Sequence, residues 1–371
     1  MYIDNTKDLQ KLCEEVKTAQ IIGFDTEFMR EKTFFPILCL IQLNVNGKTY
    51  AIDPIQSDVK ELLELLVKAP MLIFHSGRQD LEIIYNLIGK LPKNIFDTQI
   101  AAMVCGFGEQ VSYQMLVQNL LGKRVDKTER YTDWAARPLS AGQIEYALSD
   151  VIHLPEIYAK LSDSLKKQNR ERWFENDEAS LKDVKYFEAN ENDSWQKIKH
   201  REKKNCHLGV LKEIAAWREL KARRVDRPRK RVLSDDAVIE IALRKPKAKD
   251  ELTRMRSFGH HREETIQEIL QVVQKGLGMA DDSIPKLKPK PKKEADAGTV
   301  ELLKIILKTQ CSKNDVAQKL VATSEEIEQF VLGEKPDFLN GWKYDVFGKF
   351  AEDLLAGKTK LFVENGRMKI A

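Results

Sequence analysis

Asp25 and Glu27 stand two residues apart, directly after the apolar run Ile21-Ile22-Gly23-Phe24. Residues i and i+2 of an extended chain point to one face, so both carboxylates would look into one site from the end of a buried strand. Two like charges there repel each other and lose hydration, which calls for a neutralising partner. Asp80 follows a second apolar stretch, Met71-Leu72-Ile73-Phe74-His75, in the first turn of a helix beginning near Gly77. Alone, it would serve the helix dipole. Tyr146 and Asp150 are four apart on a helix expected from Ser140 onward, side by side on one face. Alone, they would be a surface pair. Together, four carboxylates from three elements, each beside an apolar run, can hold two magnesium or manganese ions, hard cations that prefer oxygen. Two such ions, roughly 3.5–4 Å apart, clamp the attacking and leaving oxygens of a phosphodiester displacement. Magnesium activates water less than zinc does, and the Tyr146 hydroxyl is placed to orient the nucleophile.

The elements that must position these groups follow from periodicity. Residues 20–24, 38–45 and 49–52 read as three strands, with Asn46-Gly47 as a hairpin turn between the last two. A helix is predicted over 57–68, a strand over 71–75, a helix over 77–88 and a strand near 94–96. An antiparallel set that gives way to strand–helix alternation implies a mixed sheet covered by helices on both faces. Helices follow over 98–105, 112–121 and 140–161, with a loop at 122–139. Residues 162–200 are helical but polar, a connector with little core. A compact helical unit at 205–282 is built on Leu211, Ile214, Ala215 and Trp217, then Val238 and Ile241. Residues 283–298, SIPKLKPKPKKEADAG, form an extended linker. Residues 299–371 are helical again, with Leu302, Ile305 and Ile306 in register.

A chain of 371 residues divides most naturally into two or three domains. Five scattered cysteines, none in C-x-x-C spacing, argue against a disulfide framework or a zinc site and for a reducing compartment, the cytoplasm. No apolar run is long enough to cross a bilayer, and Met1-Tyr2-Ile3-Asp4-Asn5 lacks the plan of a secretory signal. A net charge of +4 says little, but basic clusters at 200–204, 223–231 and 286–293 point to a nucleic-acid partner.

The motifs FDTEF (24–28), FHSGRQDLE (74–82) and YALSD (146–150) resemble those of the DEDD 3′→5′ exonucleases, in the subgroup with a tyrosine in its third motif. The longer strings at 25–43, 96–106 and 126–158 resemble bacterial ribonuclease D. WRELKARRVDRPRKRVLSDD (217–236) is similar to the helicase-and-RNase-D C-terminal (HRDC) module, and FLNGWKYDVFGKFAEDLLAGK (338–358) to a second such module. The resemblance implies an α/β RNase H-like exonuclease core at 1–165, a helical connector at 166–204, a first HRDC-type domain at 205–282, the Pro/Lys linker at 283–298 and a second HRDC-like domain at 299–371.

It also implies roles. Asp25, Glu27 and Asp150 would bind the metal that carries the attacking water, and Asp25 would bridge to a second metal supported by Asp80. Tyr146 would orient the nucleophile. The reaction would remove 3′-terminal nucleotides from RNA with a free 3′-hydroxyl, most typically tRNA precursors, and release nucleoside 5′-monophosphates. The enzyme would be a cytoplasmic monomer using two Mg2+ or Mn2+ ions. One departure is the second motif, which lacks the asparagine that many members carry shortly before the aspartate. Two rival readings are a single-strand DNA 3′→5′ exonuclease, since the metal chemistry is indifferent to the sugar, and a nucleic-acid-binding scaffold with a vestigial site.

Other residues divide between roles. His75 is a strand-end cap or a substrate contact, and Asp97 a turn or helix cap or a further acid near the site. Trp134, Arg137 and Pro138 either stack on and clamp RNA or anchor their loop. Phe28 is a wedge against the terminal base or part of the core. His260 and His261 read as surface residues, Trp217 and Trp342 as core. Arg223 to Arg231 is the candidate phosphate-contacting surface.

Overall fold

The computed structural model describes residues 1–125, 132–188, 190–200, 204–280, 282–284 and 294–371. Most of the linker expected over 283–298, residues 201–203 of one basic cluster and residues 126–131 of the loop before the Tyr146 helix lie outside these.

The chain divides into two compact units. The first contains residues 1–27, 39–182 and 290–371. Its centre is a six-stranded sheet in the order β1-β4-β3-β2-β5-β6. The strands are β1 (Tyr2–Ile3), β2 (Ile22–Met29), β3 (Ile37–Val45), β4 (Lys48–Ile52), β5 (Leu72–Phe74) and β6 (Ile95–Asp97). β3 and β4 pair antiparallel, whereas β1 with β4, β2 with β5 and β5 with β6 pair parallel. The sheet is mixed, as the strand order in sequence implies. At the β3–β4 turn both Asn46 (φ 52°) and Gly47 (φ 81°) take the left-handed conformation that a tight two-residue hairpin demands.

The helices of this part are α1 (Thr6–Thr18), α2 (Lys60–Leu66), α3 (Arg78–Ile88), α4 (Thr98–Val104), α5 (Tyr113–Leu121), α6 (Ala141–Ile152), α7 (Leu154–Lys167) and α8 (Glu171–Glu178). The single helix expected over 140–161 is two helices. Pro155 lacks the N–H that would continue α6, but it is at home in the first turn of α7. A core of Ile73, Phe96, Ala101, Leu116, Leu154 and Ile157 packs α4, α5 and α7 against the sheet. At Gly23, an added Cβ would meet Leu154 Cβ at 3.1 Å and Asn44 Cβ at 3.2 Å, so glycine lets β2 lie close against α7.

The second unit comprises residues 28–38 and 183–289. Its helices are α9 (Asn205–Arg224), α10 (Arg229–Val232), α11 (Asp235–Arg244), α12 (Lys249–Thr253) and α13 (Glu263–Leu277). They close over Leu211, Ile214, Val238, Ile241, Ile269 and Val273. Trp217 packs partly buried against this core and donates its indole N–H to Glu268 at 2.9 Å.

The C-terminal helices belong to the first unit. They are α14 (Ala297–Lys313), α15 (Gln318–Val321), α16 (Ser324–Val331), α17 (Gly341–Lys343) and α18 (Lys349–Leu355), the last two joined by a π-helical turn over Tyr344–Gly348. Trp342 is buried in their core with Phe338 and Phe347. The helical reading of 299–371 missed the end of the chain, where β7 (Leu361–Glu364) and β8 (Arg367–Ile370) pair antiparallel. Asn365 and Gly366, both at positive φ, make the turn. The flanking strands are too short and too exposed to show an apolar alternation.

Candidate active site

β2 does not end at the acids. It runs from Ile22 through Asp25 and Glu27 to Met29, because polar side chains on one face leave the main-chain ladder intact. Asp25 and Glu27 are half-buried. Thr26, on the opposite face, is buried and donates its hydroxyl to Asp80, itself only 6% exposed in the first turn of α3. Asp80 is thereby fixed to the strand that carries the other two acids.

α3 starts where it does because of Gly77 and Asp97. A Cβ on Gly77 would sit 2.5 Å from Phe74 Cβ, so only glycine allows the chain to turn out of β5 at this point. The Asp97 carboxylate accepts from the N–H groups of Ser76 (3.2 Å) and Gly77 (2.8 Å), and it caps α4 by accepting from Gln99 and Ile100. Asp97 is the expected helix cap, and it also ties the entry to α3. His75 serves the same frame: its Nδ1 pairs with the Thr98 hydroxyl at 2.9 Å and its ring lies against Tyr113, while burial lowers the imidazole pKa.

Tyr146 and Asp150 are half-buried on α6, which opens with a Ser140/Gln143 capping box. Three devices hold α6 in place. Asn44 of β3, 2% exposed, donates its side-chain amide to the carbonyls of Val151 (3.3 Å) and Ile152 (3.0 Å) at the end of the helix. Arg137, just before the helix, grips the fully buried Asp53 through Nε and Nη2 and also donates to the carbonyls of Cys39 and Trp134. Trp134, 4% exposed, lies 6.1 Å from the Tyr146 ring between centroids. Trp134 and Arg137 are therefore anchors, the second of the two roles open to them. Phe28 is half-buried beside the acids.

The electrostatics bring the acids from β2, α3 and α6 into one field. Burial, then repulsion from Asp80, Asp150 and Glu27, raises the Asp25 pKa well above the ordinary carboxylate range. Burial, then Asp150 and Asp80, pushes Glu27 up to about 8. Burial raises Asp80 to about 6 against the lowering effect of the Thr26 hydroxyl. No cationic side chain is among the leading influences on any of the three. Among the described residues no group of three or more His, Cys, Asp or Glu side chains is already arranged to hold a metal ion. Asp25 and Glu27, whose proton affinity is raised by burial and by the neighbouring Asp80 and Asp150, offer together with those two acids hard oxygen donors and excess negative charge, a set that fits divalent magnesium or manganese. Tyr113, which sequence patterns did not single out, lies in the same field: burial, then Asp150 and Asp25, raises its pKa, and its hydroxyl accepts from the His153 N–H at 3.1 Å.

Comparison with known proteins agrees with this chemistry. Residues 1–166 match the family model described as a 3′-5′ exonuclease, and residues 207–273 match the HRDC domain. Ribonuclease D of Bartonella henselae is 39% identical over 375 residues, covering 99% of this chain and 92% of the relative. Ribonuclease D of Nitrobacter hamburgensis is 36% identical, covering 99% and 98%. Among solved structures, Escherichia coli RNase D, described as an exoribonuclease involved in structured RNA processing, superposes with a TM-score of 0.79 at 28% identity, over 96% of this chain and 98% of its own. The catalytic core of Trypanosoma brucei RRP6 shares the fold with a TM-score of 0.56 at 22% identity, over 75% and 81% of the two chains. The chain is a metal-dependent 3′→5′ exoribonuclease with an RNase H-like core, and it belongs to the ribonuclease D family.

Proposed function

We propose that Asp25, Glu27 and Asp150 hold one divalent ion, that Asp25 shares a second with Asp80, and that both are Mg2+ or Mn2+. The observation that carries this reading is the mutual repulsion of Asp25 with Asp80, Asp150 and Glu27, contributed by three separate elements. Bound ions supply the positive charge that steadies the attacking and leaving oxygens of the scissile phosphodiester. The Tyr146 hydroxyl orients the attacking water. That water adds to phosphorus, the bond from phosphorus to the 3′-oxygen breaks, and the products are a nucleoside 5′-monophosphate and RNA one residue shorter with a new 3′-hydroxyl.

The substrate we assign is the 3′ end of tRNA precursors, typical of the family, acted on by a cytoplasmic monomer. No helix among the described residues is long and apolar enough to cross a membrane. We keep the division into an exonuclease domain (1–165), connector (166–204), first HRDC-type domain (205–282), linker (283–298) and second HRDC-like domain (299–371) as our reading of the organisation.

The test is hydrolysis of end-labelled tRNA precursor, generic RNA and matched DNA, with magnesium, manganese or chelator. A metal-dependent ladder of 3′-shortened precursor, lost in Asp25→Ala and Asp150→Ala, is the expected result. Full activity in either variant would remove the ligand assignment, and equal loss of DNA would widen the substrate class.

A further inference from the structure

A cleft of about 480 Å³ opens within the second unit, between the loop at 30–34 and the first helical module. Five cations line it (Arg30, Lys197, Arg218, Arg229 and Lys230) against two acids, Glu31 and Asp235. The pairing around the cleft is lopsided. Glu219, only 2% exposed, takes both Arg229, through two nitrogens, and Arg223 at 3.6 Å. Asp235 likewise takes Arg218 at 2.8 Å and Lys230 at 3.2 Å. Ion pairs that serve only the fold can match one cation to one carboxylate. Here two carboxylates each hold two cations, which keeps a surplus of positive charge in fixed positions. Arg218 is 4% exposed, and its Nε–H has no acceptor among the described residues.

The loop side is built as firmly as the helical side. Asp226, held at φ 45°, accepts from the N–H groups of both Phe34 (2.9 Å) and Phe35 (3.0 Å). The Phe34 ring is buried beneath the Arg229 guanidinium, 4.5 Å from its centroid, with Arg223 at 5.7 Å. Cation–π contact and the Glu219 fork together pre-orient Arg229, and a pre-oriented guanidinium is well suited to phosphate oxygens.

We propose that this cleft is a phosphodiester-binding subsite for the RNA substrate, occupied by backbone upstream of the nucleotide being removed. The proposal rests on the exoribonuclease reading for the identity of the polymer. Chain connectivity favours it, because Arg30 follows Glu27 by three residues, at most about 11 Å of extended backbone. The cleft therefore reads the chain of phosphates rather than base identity.

The test is anisotropy of a fluorescent single-stranded RNA 20-mer on the full-length protein in chelator, where no turnover occurs, across a potassium chloride series. The variants are Lys197→Glu with Lys230→Glu, Arg30→Glu from the loop side, and Lys308→Glu on α14 as a charge-matched control. The double variant should weaken binding at least tenfold and shrink the logarithmic salt slope by about 1.4, two phosphates at about 0.7 each for single strands. Arg30→Glu should shift both in the same direction, and Lys308→Glu should leave them unchanged. With magnesium, the double variant's rise in KM should be several-fold greater on the 20-mer than on a dinucleotide. Wild-type affinity and slope in the double variant, an equal effect of Lys308→Glu, or equal losses on the two substrates would overturn the subsite. Failure of the wild-type protein to shorten RNA with magnesium would instead strike the exoribonuclease reading, and the binding series in chelator would still report on the cleft.

Discussion

Trp173 of α8 and Trp342 of α17 stack with their ring centroids 4.4 Å apart and their planes 11° from parallel, joining α8 to the C-terminal helices of the same unit. The contact is reinforced on both sides. Arg170 lies over the Trp173 ring at 4.8 Å while donating to the carbonyls of Val104, Asn314 and Asp315, and Lys343 bridges Asp177 at 3.4 Å and Asp337 at 2.9 Å. The Ala317 N–H also donates to the Met103 carbonyl at 3.0 Å. Trp342→Ala should cost ~3 kcal/mol in urea unfolding, as for other buried aromatics truncated to alanine. The indole N–H of Trp342 is buried without an acceptor among the described residues, so Trp342→Phe forfeits contact area but no hydrogen bond. It should cost less than half as much. Equal losses would show that the N–H, not the ring, holds the contact.

Arg137 and Asp53 form the most exacting ion pair near the active site. Asp53 is fully buried and is also bound by the Tyr2 hydroxyl at 2.6 Å. Removing the guanidinium would strand a carboxylate in low dielectric, and Arg137→Ala should destabilise by about 3–5 kcal/mol. Lysine keeps the charge but cannot reproduce the two-pronged geometry. Arg137→Lys should therefore remain at least ~2 kcal/mol below wild type in the same unfolding experiment. Recovery of full stability would mean that charge alone matters here.

Asn44 should affect rate more than substrate affinity. Its buried side chain holds the carbonyls of Val151 and Ile152, one and two residues beyond Asp150 at the end of α6. Asn44→Ala should lower kcat by ten- to a hundredfold with KM on RNA nearly constant, and cost about 1–2 kcal/mol of stability. Asn44→Asp should be worse, because a carboxylate would face the negative end of the helix. A change confined to KM would remove Asn44 from the positioning of α6.

The contrast between these residues and the acids explains what was legible in the sequence. Asp25, Glu27 and Asp80 stand out because a charge beside an apolar run is costly enough to need a reason, and that cost is visible locally. The hairpin at Asn46-Gly47 is legible for a similar reason, since few residues accept positive φ. Asn44 and Arg137 are ordinary polar residues whose partners lie 107 and 84 positions away; nothing within reach of a periodicity window reveals them. Arg137 could be narrowed only to a clamp or an anchor, and the buried Asp53 decides for the anchor. The extra length of β2 and the break between α6 and α7 were lost to the opposite error. A charge beside an apolar run reads as a strand end although the main-chain ladder of β2 continues through it. A proline at home in the first turn of α7 leaves the apolar periodicity of the two helices looking like one.

The pH dependence of stability should reveal the metal site without any measurement of turnover. Glu27 rises from an ordinary 4.5 to about 8 in the folded protein, Asp80 rises from 3.8 to about 6, and Asp25 is raised as well. A carboxyl with a raised pKa binds its proton more tightly when folded than when unfolded. Below its unfolded pKa both states are protonated and the group costs nothing. As pH climbs toward the folded pKa, the unfolded chain ionises freely while the folded one resists, so stability falls, and it levels off above about 8. In chelator, the melting temperature should therefore decline between about pH 4.5 and 8, reflecting a loss of a few kcal/mol. Divalent cations compete with those protons and favour the ionised cluster, so magnesium should raise the melting temperature more at pH 8 than at pH 5.5. Glu27→Gln, which cannot ionise, should flatten the decline in chelator and shrink the gain from magnesium. Thermal unfolding at four pH values, with magnesium or chelator, checks all three expectations. A magnesium gain independent of pH and unaffected by Glu27→Gln would place the ion somewhere other than among these carboxylates.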